Sequence, residues 1–126
     1  MPNETKLNPN GGVPSINLIF GFAQFAKFRI FLWDQNGENP QEITHGSNLP
    51  GAAQAFSIGM PANNLIGRFL TWDALIVSPT GGPGQQYSMA ATFSRDGDTI
   101  QNSTFTRSGA LNGAAVDMDQ TKFVAP

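Results

Sequence analysis

The residues best suited to bind a ligand alternate along one short segment. Lys27, Arg29, Phe31 and Trp33 occupy every second position of a stretch whose other positions are apolar. Residues two apart in a β-strand lie on the same face of the sheet. The spacing therefore predicts a row of two cations and two aromatic rings that points away from the core.

This row predicts a ligand platform. The flat faces of Phe31 and Trp33 can stack on a sugar ring, and the acid and amide that follow, Asp34 and Asn36, can bond its hydroxyl groups. We therefore predict a carbohydrate site, or a site for another small molecule, formed by Arg29, Phe31, Trp33, Asp34 and Asn36.

The same aromatic row has three other interpretations. A second layer, a loop or the N-terminal arm could cover it, because apolar surface is usually covered where possible. It could be buried between subunits, where aromatic rings and Arg are enriched, or it could lie at a lipid surface. The second function hypothesis is therefore a self-assembling structural protein, such as a shell, capsid or inclusion component. Both hypotheses include a homo-oligomer.

Catalytic residues are scarce. The chain has no Cys and one His, which excludes thiolate chemistry and sulfur-ligated metal sites. No G-x-S-x-G motif accompanies His45. We predict that the chain is not an enzyme and has no catalytic residues, and that His45 is structural.

Oxygen ligands of the kind that Ca²⁺ prefers alternate in three places. These groups are Asp34, Asn36 and Glu38; Asp96 and Asp98; and Asp117 and Asp119. Asn36-Gly37 and Asp96-Gly97 are also strong turn formers, and the full EF-hand pattern is absent. The sequence predicts no metal or cofactor, with calcium as the alternative.

Charge and hydropathy exclude other partner classes. The net charge is −2, the pI is about 5.1, and the seven cations are scattered, so we expect no nucleic acid partner. No uninterrupted apolar run approaches the roughly 18 residues of a membrane span, and no classical signal peptide is evident. The sequence assigns no compartment.

The backbone elements predicted around these residues are short strands. The 126 residues include 14 Gly and 9 Pro spread along the chain, and no helix of ten or more residues is evident. The alternation in residues 87–93 predicts a strand that enters an Asp96-Gly97 hairpin, with Arg95 opposite Asp98 and Phe93 opposite Ile100.

The segment around the platform predicts two strands and a second hairpin. Its even positions are almost all apolar and should form a core face: Ile16, Leu18, Phe20, Phe22, Ala26, Phe28, Ile30 and Leu32. A two-residue loop at Asn36-Gly37 would pair Phe31 with Glu42, Ile30 with Ile43, and Phe28 with His45 on the inner face.

These elements together predict an all-β fold. We expect an antiparallel β-sandwich, jelly-roll-like, of about seven or eight strands. Residues 68–78 are apolar on both faces and predict a central strand covered on both sides. Residues 13–126 should form the single domain, preceded by a flexible N-terminal arm at 1–12.

Overall fold

The computed structural model describes residues 3–21, 25–48, 54–78 and 85–126. Nine strands and one short 3₁₀ turn, Ala62–Asn64, form the described structure. The strands are β1 (Asn3–Lys6), β2 (Ser15–Gly21), β3 (Phe25–Trp33), β4 (Gln41–Asn48), β5 (Gln54–Ser57), β6 (Phe69–Val77), β7 (Gln85–Arg95), β8 (Asp98–Leu111) and β9 (Ala114–Val124).

The strands form two sheets that pack as a sandwich. Sheet A has the order β1-β9-β6-β3-β4, and sheet B has the order β5-β2-β7-β8. All pairs are antiparallel except β1 with β9, which is parallel. The predicted all-β sandwich is confirmed, with nine strands where the sequence predicted seven or eight.

Alternation along each strand decides which side chains enter the core. In β3, Phe28, Ile30 and Leu32 are buried, whereas Lys27 and Arg29 are exposed on the opposite face. That face of sheet A, turned away from sheet B, is called the outer face below. The inner-face prediction is confirmed throughout β2 and β3, except that Phe22 lies outside the described residues.

Aromatic side chains join the two sheets. Trp72 of sheet A is fully buried, with its ring centroid 5.8 Å from that of Phe93 and 6.3 Å from that of Phe105 in sheet B. Phe93 also packs edge-on against Phe123, at 5.6 Å. Among the described residues, the Trp72 indole N–H has no hydrogen-bond partner, so hydrophobic contact alone holds this ring.

The hairpin between β3 and β4 departs from the predicted register. The turn spans Asp34 to Gly37, with Gly37 at a positive φ of 73°, so its central residues are not Asn36 and Gly37. Phe31 does lie opposite Glu42 as predicted, but a bulge between Ile30 and Phe31 then shifts the pairing by one residue.

The bulge changes the position of the histidine. Ile30 pairs with Thr44, and Phe28 pairs with Gly46, in place of the predicted Ile43 and His45. Because one inserted residue reverses which face a side chain occupies, His45 lies opposite Arg29 and is exposed. The prediction of an inward-facing His45 is therefore wrong.

The hairpin between β7 and β8 is also irregular. Arg95 lies opposite Asp98, as predicted from Asp96-Gly97, but the register shifts between Thr92 and Ser94, so the predicted pairing of Phe93 with Ile100 does not form. The Ser103 hydroxyl replaces it, accepting from the Phe93 N–H at 3.3 Å.

Strand β6 is central in sheet A, as the sequence predicts, but its two faces differ. Leu70, Trp72 and Ile76 are fully buried on the inner face, whereas Leu75 and Val77 on the outer face remain exposed. The expectation that both faces are covered is therefore not met within the described part of the chain.

The N-terminal segment differs from the predicted flexible arm. Residues 3–6 form β1, which pairs with Thr121–Val124 of β9. The Thr5 and Thr121 hydroxyls share a buried hydrogen bond of 2.8 Å, and Leu7 is 1 % exposed. A strand of four mostly polar residues is too short for its periodicity to be recognised in a sequence.

No described helix is long and apolar enough to cross a membrane.

Replacing Leu7 with Ala tests whether the N-terminal segment is part of the core. We expect the free energy of unfolding to fall by about 2–5 kcal/mol, the usual loss for a buried Leu, in urea denaturation. Val13→Ala is the control, because Val13 is 43 % exposed and should change stability by less than about 0.5–1 kcal/mol. Equal, small effects at both positions would contradict a packed segment.

Candidate functional site

A surface cleft surrounds Trp33 at one end of the outer face of sheet A. Its volume is about 440 Å³, within the range of ligand sites. Among the described residues, its lining includes no charged side chain and consists of Trp33, Gln35, Asn36, Gly37, Phe69, Thr71, Met118 and Gln120. This site is called the Trp33 cleft below.

Two neighbouring strands supply the aromatic floor of the Trp33 cleft. Trp33 in β3 lies directly opposite Phe69 in β6, so the two side chains start from adjacent positions on the outer face, and both line the cleft. The Trp33 indole N–H donates to the Thr71 hydroxyl at 2.9 Å, which fixes the orientation of the indole ring. The Lys122 ammonium lies 5.5 Å from the centre of the Phe69 ring.

The turn after β3 supplies the polar rim, and Asp34 holds this turn together. One Asp34 carboxylate oxygen accepts from the N–H groups of Asn36 and Glu38 at 2.9 and 2.8 Å, and the other accepts from the Asn39 side chain at 2.8 Å. These bonds, led by that from Glu38, lower the pKa of Asp34. Asp34 therefore positions the rim rather than offering free oxygens.

Three amide side chains border the cleft. Gln35 lies against Gly67, where a Cβ atom would come within 3.1 Å of the Gln35 Cγ. Within the described ranges, the side-chain amides of Gln35, Asn36 and Gln120 form no hydrogen bonds. Each can both donate and accept, so the rim offers complementary groups for hydroxyls.

The five residues predicted from sequence are thus divided in the structure. Trp33 and Asn36 line the cleft, and Asp34 supports its rim. Arg29 instead forms two hydrogen bonds with Asp73, at 3.1 and 3.0 Å, and its guanidinium lies 5.3 Å from the centre of the Phe31 ring. The bond to Asp73 raises the pKa of Arg29.

The sequence did not identify the other lining residues, chiefly Phe69, Thr71 and Gln120. Alternation does place Phe69 on the outer face of its strand, but no local signal shows that β6 lies beside β3. The pairing of Trp33 with Phe69 brings together residues 36 positions apart, and such non-local pairing has no signature in either strand.

A second polar cluster lies around Asp117. One Asp117 oxygen accepts from the Tyr87 hydroxyl at 2.5 Å, and the other accepts from the Arg107 Nε and the Met118 N–H, at 3.1 and 2.8 Å. The Arg107 Nη2 also lies 3.1 Å from that second oxygen. The cluster links β7 and β8 of sheet B to β9 of sheet A.

The hydrogen bonds decide the protonation state of Asp117. Burial raises its pKa, but the bonds from Tyr87, Arg107 and the Met118 N–H, together with the charge of Arg107, outweigh burial and leave the pKa below the ordinary value of 3.8. The bond to Asp117 likewise raises the pKa of Tyr87, with burial adding to the effect.

The described residues contain no group of three or more His, Cys, Asp and Glu side chains placed to hold a metal ion. The Asp34 oxygens accept from N–H groups, and Asp117 is paired with Arg107. The calcium alternative therefore gains no support at these positions.

Comparison of the chain with protein-family models, curated proteins and solved structures finds no match.

Acid titration tests the Asp117 cluster. Because the folded-state pKa lies below the unfolded value, the carboxylate stabilises the fold above pH 3.8, and this contribution is lost as the pH falls through the folded-state pKa. We expect Asp117→Asn to be less stable than the wild type at neutral pH, with the difference narrowing in acid. A pH-independent difference in urea unfolding would contradict this assignment.

The phenol of Tyr87 gives a second test of the cluster. Tyr87→Phe removes one hydrogen bond to a charged acceptor and keeps the ring, so we expect a loss of about 1.5–3 kcal/mol in the free energy of unfolding. Thr92→Val is the control, because the Thr92 hydroxyl bonds to Thr104 at an exposed site. A Tyr87→Phe protein as stable as the wild type would show that the bond does not matter.

Proposed function

We propose that this protein is a non-enzymatic, lectin-like carbohydrate-binding module and that the Trp33 cleft holds the sugar. The observation that supports this proposal best is that Trp33 and Phe69, at paired positions of neighbouring strands, line one cleft together with amide groups that are free among the described residues. The rings offer a flat apolar surface to the C–H face of a pyranose, and the amides bond its hydroxyls.

The composition of the cleft also specifies the kind of sugar. The described lining residues are all neutral, and the Lys122 ammonium beside them is placed over the Phe69 ring, so a neutral hexose or a neutral oligosaccharide fits better than a uronic acid or a sulfated sugar. The hydrogen bond from Trp33 to Thr71 orients the indole ring before binding, which reduces the entropy lost when the sugar binds.

The self-assembly hypothesis stays a prediction. It requires Phe31 and Trp33 to be buried between subunits, yet the Arg29 guanidinium already lies near the Phe31 ring, and Trp33 is bonded to Thr71. The proposed homo-oligomer is tested directly by the solution mass from light scattering. If the protein assembles through these rings, Trp33→Asp should reduce the mass to that of one 13.5 kDa chain.

Trp33→Ala tests the carbohydrate proposal on a glycan array and by calorimetry with the glycan that binds best. We expect affinity to fall by about tenfold or more, since the stacking surface is lost, with the solution mass unchanged. Ile19→Ala is the control, because Ile19 is an exposed apolar residue that lies on sheet B, away from the cleft. A wild type that binds nothing on a broad array of neutral glycans would contradict the proposal.

The polar rim can be tested separately. Gln120→Ala should weaken binding without altering stability, because its side-chain amide has no partner among the described residues. We expect a loss of about three- to tenfold, typical of one or two hydrogen bonds at a partly exposed site. Gln101→Ala, at an exposed position on β8, should leave affinity unchanged.

A further inference from the structure

A groove larger than the Trp33 cleft lies elsewhere on the outer face of sheet A. It has a volume of about 970 Å³ and crosses β4, β3, β6 and β9, with Arg107 of β8 also in its lining. Of the described residues, Met118 alone lines both this groove and the Trp33 cleft. Its size is that of a site for a small organic molecule.

The register of the sheet places four side chains of the groove in one line across the strands. Ser47 pairs with Lys27, Lys27 with Leu75, and Leu75 with Val116. The line, called the Lys27 row below, therefore changes from a hydroxyl and an ammonium group at one end to two aliphatic side chains at the other.

The apolar end of the Lys27 row is open to solvent. Val116 is 77 % exposed and Leu75 43 % exposed, and the adjacent Met118 is 51 % exposed. Neighbouring strands lie roughly 4.8 Å apart, so these side chains offer a continuous aliphatic surface to a chain that crosses the sheet. Covering such a surface is favourable.

The described carboxylates that line the groove all accept hydrogen bonds from other side chains. Asp73 accepts from Arg29 with both oxygens, the Asp117 oxygens are bound by Tyr87 and Arg107, and Glu42 bonds to His45 at 2.7 Å.

Lys27, by contrast, has no ion pair or hydrogen bond to any described residue. Every described carboxylate that lines the groove thus already accepts a hydrogen bond, whereas the Lys27 ammonium has no partner among the described residues. Lys27 is therefore the point in the groove where an anionic group would find a free counter-charge.

We propose that the Lys27 row binds a free medium-chain monocarboxylate. The carboxylate lies at Lys27 and the Ser47 hydroxyl, and the aliphatic chain runs over Leu75 and Val116. The distance from β3 to β9, two strand spacings or roughly 10 Å, suits a chain of about eight to ten carbons. This site is separate from the carbohydrate site and does not depend on it.

A second copy of the chain is a poorer occupant of this groove. Packing the face against itself would bury two Lys27 ammonium groups, and the described acids of the groove already accept hydrogen bonds from other side chains. Burying an unpaired cation costs several kcal/mol, whereas a carboxylate ligand supplies the missing counter-charge. The ligand satisfies both ends of the row at once.

The probe for this proposal is decanoate, below its critical micelle concentration, titrated into the protein by calorimetry. We expect saturable binding at one site. Lys27→Ala should weaken it about tenfold, the value of one charge-assisted hydrogen bond, while Lys27→Arg should retain most of it. Val116→Ser should also weaken it several-fold through lost apolar contact.

Three controls make the result specific. Ile19→Ser removes an exposed aliphatic side chain from sheet B and should bind decanoate as the wild type does. Trp33→Ala should also bind normally, which separates this site from the carbohydrate site. Decylammonium has the same chain with the opposite charge and should bind the wild type more weakly than decanoate does.

Several outcomes would overturn the proposal. These are the absence of saturable heat, equal affinity for decanoate and decylammonium, or wild-type affinity in both Lys27→Ala and Val116→Ser. A solution mass of two chains that falls to one in Val116→Ser would also overturn it, because the groove would then be covered by a second copy.

Discussion

The structure depends on the contact between the aromatic side chains of its two sheets. Trp72 on sheet A meets Phe93 and Phe105 on sheet B, and Phe93 in turn meets Phe123. Because side chains alternate between faces, each strand that places such a residue inward must place its neighbours outward. The packing of the core therefore determines which residues are left on the outer face, including every residue of the Trp33 cleft that lies within β3, β6 or β9.

The outer face of sheet A is divided by charge. The Arg29–Asp73 pair lies across β3 and β6, with the Trp33 cleft on one side along the strands and the Lys27 row on the other. The described lining of the cleft is neutral, whereas the row contains Lys27, a cation with no partner among the described residues. One sheet face can thus offer two chemically distinct surfaces. The side chains at both ends of the strands point to this face, but they differ in type from one end to the other.

Local patterns predicted which side chains of β3 face the core, and they predicted the all-β sandwich. Both predictions were possible because the alternation of side chains with a period of two is visible in the sequence of a single strand. They did not predict the register of the β3–β4 hairpin beyond Phe31 and Glu42, since the bulge beside Ile30 depends on how the paired strands pack. The error at His45 follows from that one inserted residue.

The candidate site was predictable only in part, because the pairing of distant strands is not visible in a local segment of sequence. Trp33 and Asn36 lie close together along the chain, so one segment reveals both. Phe69 and Gln120 come from strands that are distant in sequence and adjacent in the sheet, and nothing in their own segments indicates that contact. The sequence also named Asp34 as a candidate, but its role as the acceptor that organises the turn became visible only with its hydrogen bonds.

The two tryptophans occupy different environments, so the intrinsic fluorescence of the protein can report on two of its regions separately. Trp72 is fully buried and its indole N–H is without a partner among the described residues, whereas Trp33 is half-exposed and bonded to a hydroxyl. Their fluorescence emission should therefore differ in wavelength, with Trp72 emitting at the blue edge and Trp33 further to the red. Quenching by a water-soluble agent reports on the outer face, while the blue component reports on the integrity of the core.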